Sequence, residues 1–165
     1  MEALENITYD EIKIGDSCTF KKTLTEKELI LFAAVSGDVN PIHLDENFAS
    51  HSMFKERIAH GMWSGSLVSA TLATVMPGPG TIYLSQNLDF KRPVKLNDTL
   101  TVTLTAKSKD DEKHIVVFDC LVLNQEGKPV VAGEAKVIAP TTKIVVAKPK
   151  LPEISIGQAA VGAIA

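Results

Sequence analysis

Met62-Trp-Ser-Gly-Ser-Leu-Val-Ser-Ala-Thr-Leu-Ala-Thr-Val-Met76 contains no formally charged residue. Its length and composition predict a helix from Gly61 or Met62 to Met76, whose only polar side chains other than the indole are small hydroxyls. A surface helix shows a polar stripe, and a helix that lacks one is enclosed on nearly every side. Pro77-Gly-Pro-Gly80 then stops it abruptly. Whatever encloses this helix must come from the rest of the chain.

On its C-terminal side the apolar period changes from helical to twofold. Ile82, Leu84, Leu88 and Phe90 predict a strand with an irregularity near Gln86. Leu100, Val102, Leu104 and Ala106 alternate with threonines and Lys107; Ile115–Leu123 is a denser apolar run; Val131, Gly133, Ala135 and Val137 alternate again. The separators 91–98, 108–113 and 124–129 are short and polar, as antiparallel connections require. On the N-terminal side, Ser17–Leu24 reads as a strand and Thr25–Val35 as a helix. Thr25 and Glu28 match a capping box, and Gly37 suits a left-handed helix end. One apolar helix among five strands implies an α+β domain, a curved antiparallel sheet wrapped around the central helix.

With 165 residues the chain holds one domain plus a tail, expected as residues 1–140 and a linker-like 141–165. The tail carries Lys143, Lys148, Pro149, Lys150 and Pro152, and ends in small apolar residues from Ala159 to Ala165. Seventeen Lys and Arg against twenty Asp and Glu give a net charge of −3, with no basic stripe for nucleic acid or an anionic membrane. No apolar run reaches the roughly 18 residues of a membrane span. The acidic start lacks the basic residues of a signal peptide, and Cys18 and Cys120 have no CxxC spacing. Reduced thiols in the cytoplasm are the expected setting.

The densest chemistry lies in Ser36-Gly-Asp-Val-Asn-Pro-Ile-His-Leu-Asp45. On a continuous helix Asp38 and His43 would point about 140° apart. Pro41 steers Asn40 away from helical backbone, which puts the pair on a turn. A carboxylate beside an imidazole is a general acid–base pair. The same residues also read as a helix end and proline turn, with Asp38 and Asn40 bonding local backbone. Ile58-Ala-His60-Gly61-Met62 places His60 and Gly61 at the start of the apolar helix, where free N–H groups bind developing negative charge, as in an oxyanion hole. It also reads as plain helix-start punctuation. His51 and His114 have charged or polar neighbours and read as surface residues. No histidine pair has zinc spacing and no HExxH occurs, so no metal is expected. Ser64 and Ser66 sit in no Gly-x-Ser-x-Gly elbow and read as packing residues.

Ser36–Asp45 resembles the signature of the MaoC-like (R)-specific enoyl-CoA hydratases. The resemblance continues through Ile58–Met62, Pro77–Gln86, Phe90–Val94 and Asn97-Asp98, and covers residues 8–140. It implies the hot-dog fold. It also implies that Asp38 and His43 activate water for addition to a trans-2-enoyl-CoA, giving a (3R)-hydroxyacyl-CoA of short to medium chain. Gly61 N–H, with His60 and Asn40 nearby, would hold the thioester oxygen, while Asn40 and Pro41 shape the turn. Asn97 stands where such sequences carry glycine, and asparagine tolerates a left-handed turn. The whole chain looks most similar to the N-terminal hydratase half of bifunctional proteins that join a hydratase to a phosphate acetyl- or butyryltransferase. A homodimer, coenzyme A only as part of the substrate, and no other cofactor follow from the resemblance. Two rivals stand beside the hydratase: an acyl-CoA thioesterase on the same fold, and a non-catalytic acyl-CoA-binding or partner-docking subunit.

Overall fold

A computed structural model of the chain describes residues 2–157. The elements run β1 (Ala3–Glu5), β2 (Ser17–Thr23), α1 (Glu26–Ser36), α2 (Pro41–Leu44), α3 (Glu46–His51), α4 (Gly61–Thr74), β3 (Ile82–Phe90), β4 (Thr99–Asp110), β5 (Ile115–Leu123), β6 (Pro129–Ile138) and β7 (Val145–Ala147). Strands β2-β4-β5-β6-β3 form one five-stranded sheet, antiparallel throughout, with β2 and β3 at its edges.

The sheet supplies the enclosure that α4 needs. Leu100, Val102, Leu104 and Ala106 of β4 are buried while the intervening threonines are less so, the signature of a strand with one face on a core. Val116, Phe118 and Val122 of β5 and Val131, Ala135 and Val137 of β6 join the same cluster. Into it α4 inserts Trp63, Leu67, Val68 and Leu72. Each such side chain taken out of water contributes roughly 1.5–3 kcal/mol. Three of the five helix hydroxyls bond their own backbone. Ser66 Oγ donates to Trp63 O at 2.6 Å, Thr71 Oγ1 to Leu67 O at 2.7 Å and Thr74 Oγ1 to Ala70 O at 2.7 Å. Enclosure within one chain is incomplete: Met62, Ser66, Ala73 and Thr74 remain exposed.

Two glycines let β3 run close over the start of α4. A methyl at Gly61 would lie 3.1 Å from the Phe90 ring, and one at Gly65 would lie 3.0 Å from Leu88 Cδ1. The irregularity in β3 falls between Tyr83 and Ser85, ahead of the Gln86 position suggested by the apolar pattern. Asn97 takes the left-handed conformation its type allows, at φ 70°.

Helix α1 begins as its capping box dictates. Thr25 accepts from Glu28 N–H, and the Glu28 side chain accepts from Thr25 N–H. It ends on Gly37 at φ 77°, whose N–H donates to Ala33 O. Neither β1 nor β7 is legible in the apolar pattern, and they pair with each other, Ala3 to Glu5 against Ala147 to Val145. Fully buried Asn6 anchors this connection. Its Nδ2 donates to Thr142 O at 2.8 Å and its Oδ1 accepts from Ile144 N at 2.9 Å. The start of the expected linker is thereby tied to the N-terminus, while the apolar stretch Ala159–Ala165 lies outside the described residues. No helix among the described residues is long and apolar enough to cross a membrane.

Replacing Asn6 with alanine leaves two part-buried main-chain groups, Thr142 O and Ile144 N–H, without their side-chain partner. The Asn6→Ala variant is therefore expected to lose about 1–3 kcal/mol. In urea unfolding this reads as a lower midpoint with little change of slope.

Candidate active site

The turn after α1 is built from local bonds. Asp38 Oδ1 accepts from Asn40 N–H at 3.1 Å, and Asn40 Oδ1 accepts from Ile42 N–H at 3.1 Å. The second bond caps α2, with Pro41 in its first turn. This single turn of helix carries His43 into the interior, where it is 8% exposed. The Asp38 side chain stays half exposed. The two readings of the motif coexist: one Asp38 oxygen shapes the turn, and the other faces the imidazole.

His43 Nδ1 lies 2.8 Å from Ile58 O. A carbonyl only accepts, so Nδ1 carries the proton and Nε2 carries the lone pair. Nε2 sits 3.8 Å from Asp38 Oδ2, too far for a direct hydrogen bond. A water at ordinary distance of about 2.8 Å from both atoms completes a triangle with them. Burial holds the His43 pKa below its ordinary value, opposed by the bond to Ile58; the neighbouring His60 lowers it further and the Asp38 carboxylate raises it. The net effect favours a neutral imidazole with a free Nε2.

His60, the residue before α4, is 3% exposed. Its Nε2 lies 2.9 Å from the Asp38 main-chain oxygen. Its ring stacks on His43, with centroids 3.7 Å apart and an interplanar angle of 28°, and Phe32 leans on it at 5.1 Å. Beyond His60, Gly61 opens α4, and its N–H has no protein acceptor among the described residues. A cleft of about 330 Å³ reaches this point, lined by His60, Gly61 and Ser64 and by apolar side chains including Ile58, Phe90 and Val131. Asp38 and His43 do not line that cleft. Arg57 braces the surround by pairing with Glu26 of α1 at 2.9 Å and Glu46 of α3 at 3.1 Å.

Asp38, His43 and His60 thus converge, each with a donor atom within 4.8 Å of the others. The two imidazole planes are stacked, so their in-plane lone pairs do not meet at one point, and one nitrogen of each ring already serves a carbonyl. Asn40 is close in the chain, but its side-chain oxygen is engaged in capping α2. His51 and His114 are exposed, as their neighbours suggested. Ser64 is buried and lines the cleft, which joins its packing role to the site. Neither the His43–His60 stack nor the Arg57 brace is legible in the residue order. Both join segments that no local pattern links.

Residues 11–126 match the MaoC like domain family. The chain is 46% identical over 134 residues to an (R)-specific enoyl-CoA hydratase of Rhodospirillum rubrum, covering 80% of this chain and 91% of that protein. It is 35% identical over 137 residues to a 3-hydroxybutyryl-CoA dehydratase of Methylorubrum extorquens, covering 83% and 87%. Among solved structures, the unliganded R-hydratase PhaJ1 of Pseudomonas aeruginosa superposes with a TM-score of 0.91 at 52% identity, over 94% of this chain and all of that one. The wrapped antiparallel sheet is therefore a hot-dog fold, and the chain belongs to the MaoC-like domain family.

Proposed function

We propose that this chain is an (R)-specific trans-2-enoyl-CoA hydratase, also running in reverse as a (3R)-3-hydroxyacyl-CoA dehydratase, on short- to medium-chain thioesters. The observation that carries the reading is the free Nε2 of buried His43 facing the second oxygen of Asp38. A water held by both loses a proton to the pair as its oxygen bonds to C3 of the enoyl group. The electrons of the double bond move toward the thioester carbonyl, and the proton returns to C2. In this reading Gly61 N–H, at the start of α4, steadies the charge that develops on the carbonyl oxygen. Addition of water is redox-neutral, so the reaction asks for no cofactor beyond the coenzyme A of the substrate. That substrate and two unpaired thiols fit a cytoplasmic protein.

A second copy of the chain completes the reading. Edge strand β3 exposes Ile82, Tyr83, Leu84 and Phe90, an apolar and unpaired edge of the kind that other chains cover. Met62 of α4 is 57% exposed and the Asp38 side chain half exposed, so one chain leaves both open to solvent. A homodimer through this edge would cover it. Light scattering is expected to give twice the 17.8 kDa of one chain, and a mass of one chain would refute the pairing.

With crotonyl-CoA, Asp38→Asn and His43→Ala are each expected to lower kcat by roughly 10²–10⁴-fold while leaving the fold intact. The loss of enoyl thioester absorbance and the configuration of the product check the reaction. Near-normal turnover in both variants, or thiol release from saturated acyl-CoA in place of hydration, would sink the assignment. Because His43 acts neutral and its pKa is lowered, kcat/KM is expected to hold as pH falls until His43 gains its proton. The acid limb should lie below the ordinary imidazole value of about 6.5.

A further inference from the structure

We propose that His60 is a positioning residue that holds both halves of the acid–base pair at once, through its Nε2–H on the Asp38 carbonyl and its ring face on His43. The inference rests on the hydratase reading and assigns a role to a side chain that the mechanism leaves idle. The Asp38 carbonyl only accepts, so His60 Nε2 bears the proton. Nδ1 is then an acceptor, and it is buried with no hydrogen-bond partner. A phenylalanine would stack on His43 without leaving a nitrogen orphaned, so packing alone does not account for a histidine here. The Nε2 donor does.

The two contacts restrain different motions. The hydrogen bond ties the main chain at Asp38, whose side chain is half exposed and otherwise anchored only by its own turn. The stack restrains the His43 ring, already pinned at Nδ1 by Ile58 O, from swinging Nε2 away from Asp38. Burial, to which the stacked His60 ring contributes, and the neighbouring imidazole both disfavour a charge on His43. The groups facing His43 are His60 from the start of α4, the Ile58 carbonyl from the segment before it, and Asp38 from the turn after α1. Asp38 acts in the opposite sense, so loss of His60 leaves the carboxylate to raise the His43 pKa.

Three variants separate these contributions. His60→Ala removes both contacts, His60→Phe keeps an aromatic face, and His60→Gln keeps an N–H near the position of Nε2. For crotonyl-CoA hydration, kcat per folded molecule is expected to fall about 100-fold in His60→Ala with KM little changed, as loss of geometry does. Gln and Phe should each restore part of it. In Ala and Gln, the acid limb of kcat/KM and the His43 titration followed by NMR should both move to higher pH. A His60→Ala kcat within about threefold of wild type, or a His43 titration that stays put in both Ala and Gln, overturns the proposal. If wild type itself fails to hydrate, the hydratase reading falls, while the His43 titration still decides the role of His60.

Discussion

Helix α4 has no charged side chain with which to face water, and the rest of the molecule is arranged around that constraint. Three of its hydroxyls fold back on helix carbonyls, so the polar atoms among Ser66, Thr71 and Thr74 are satisfied without solvent. Its large side chains then fill the concave face of a sheet whose inward positions are Val, Leu, Phe and Ala. Glycines at 61 and 65 bring β3 within van der Waals reach of the helix start. Burying the helix fixes its N-terminus at the floor of a cleft. An N-terminus carries free N–H groups, which join His60 and Ser64 as polar features of a largely apolar cleft.

The acid–base pair depends on that buried end. His43 finds its partner in the Ile58 carbonyl, and Asp38 its restraint in His60; both belong to the segment that leads into α4. One short stretch, Ile58 to Gly61, therefore supplies the acceptor that sets the His43 tautomer, the ring that stacks on it, and the N–H that opens α4. The local turn at Asp38 and Asn40 would form in a peptide. The approach of Asp38 Oδ2 to His43 Nε2 would not, because nothing in the turn itself decides where the imidazole points.

Relatives named as (R)-specific hydratases and a 3-hydroxybutyryl-CoA dehydratase agree with a reaction that runs either way. Addition of water to an enoyl thioester and its elimination share one transition state, so the same groups serve both directions. Four apolar side chains of the β3 edge, and the Asp38 side chain, are left exposed by one chain.

Much of this was legible in the order of residues. Periodicity placed α1, α4 and the strands of the large sheet, because a half-buried element must repeat with its own geometry. Thr25 with Glu28, and Gly37, marked the ends of α1 because capping is local chemistry. The Asp38–His43 spacing across Pro41 marked a turn, and its resemblance to a known signature gave the pair a reaction. What the chain order did not carry were contacts between distant segments. The β1–β7 pairing rests on three-residue strands too short for a pattern, and is secured by Asn6 reaching residues 142 and 144. The His43–His60 stack joins two turns that sequence leaves independent. Tautomer, burial and the 3.8 Å gap to Asp38 are properties of the packed site. Sequence determines which groups are present and which local turns they make; only the closed sheet decides which of them meet, since distance between remote residues is set by packing.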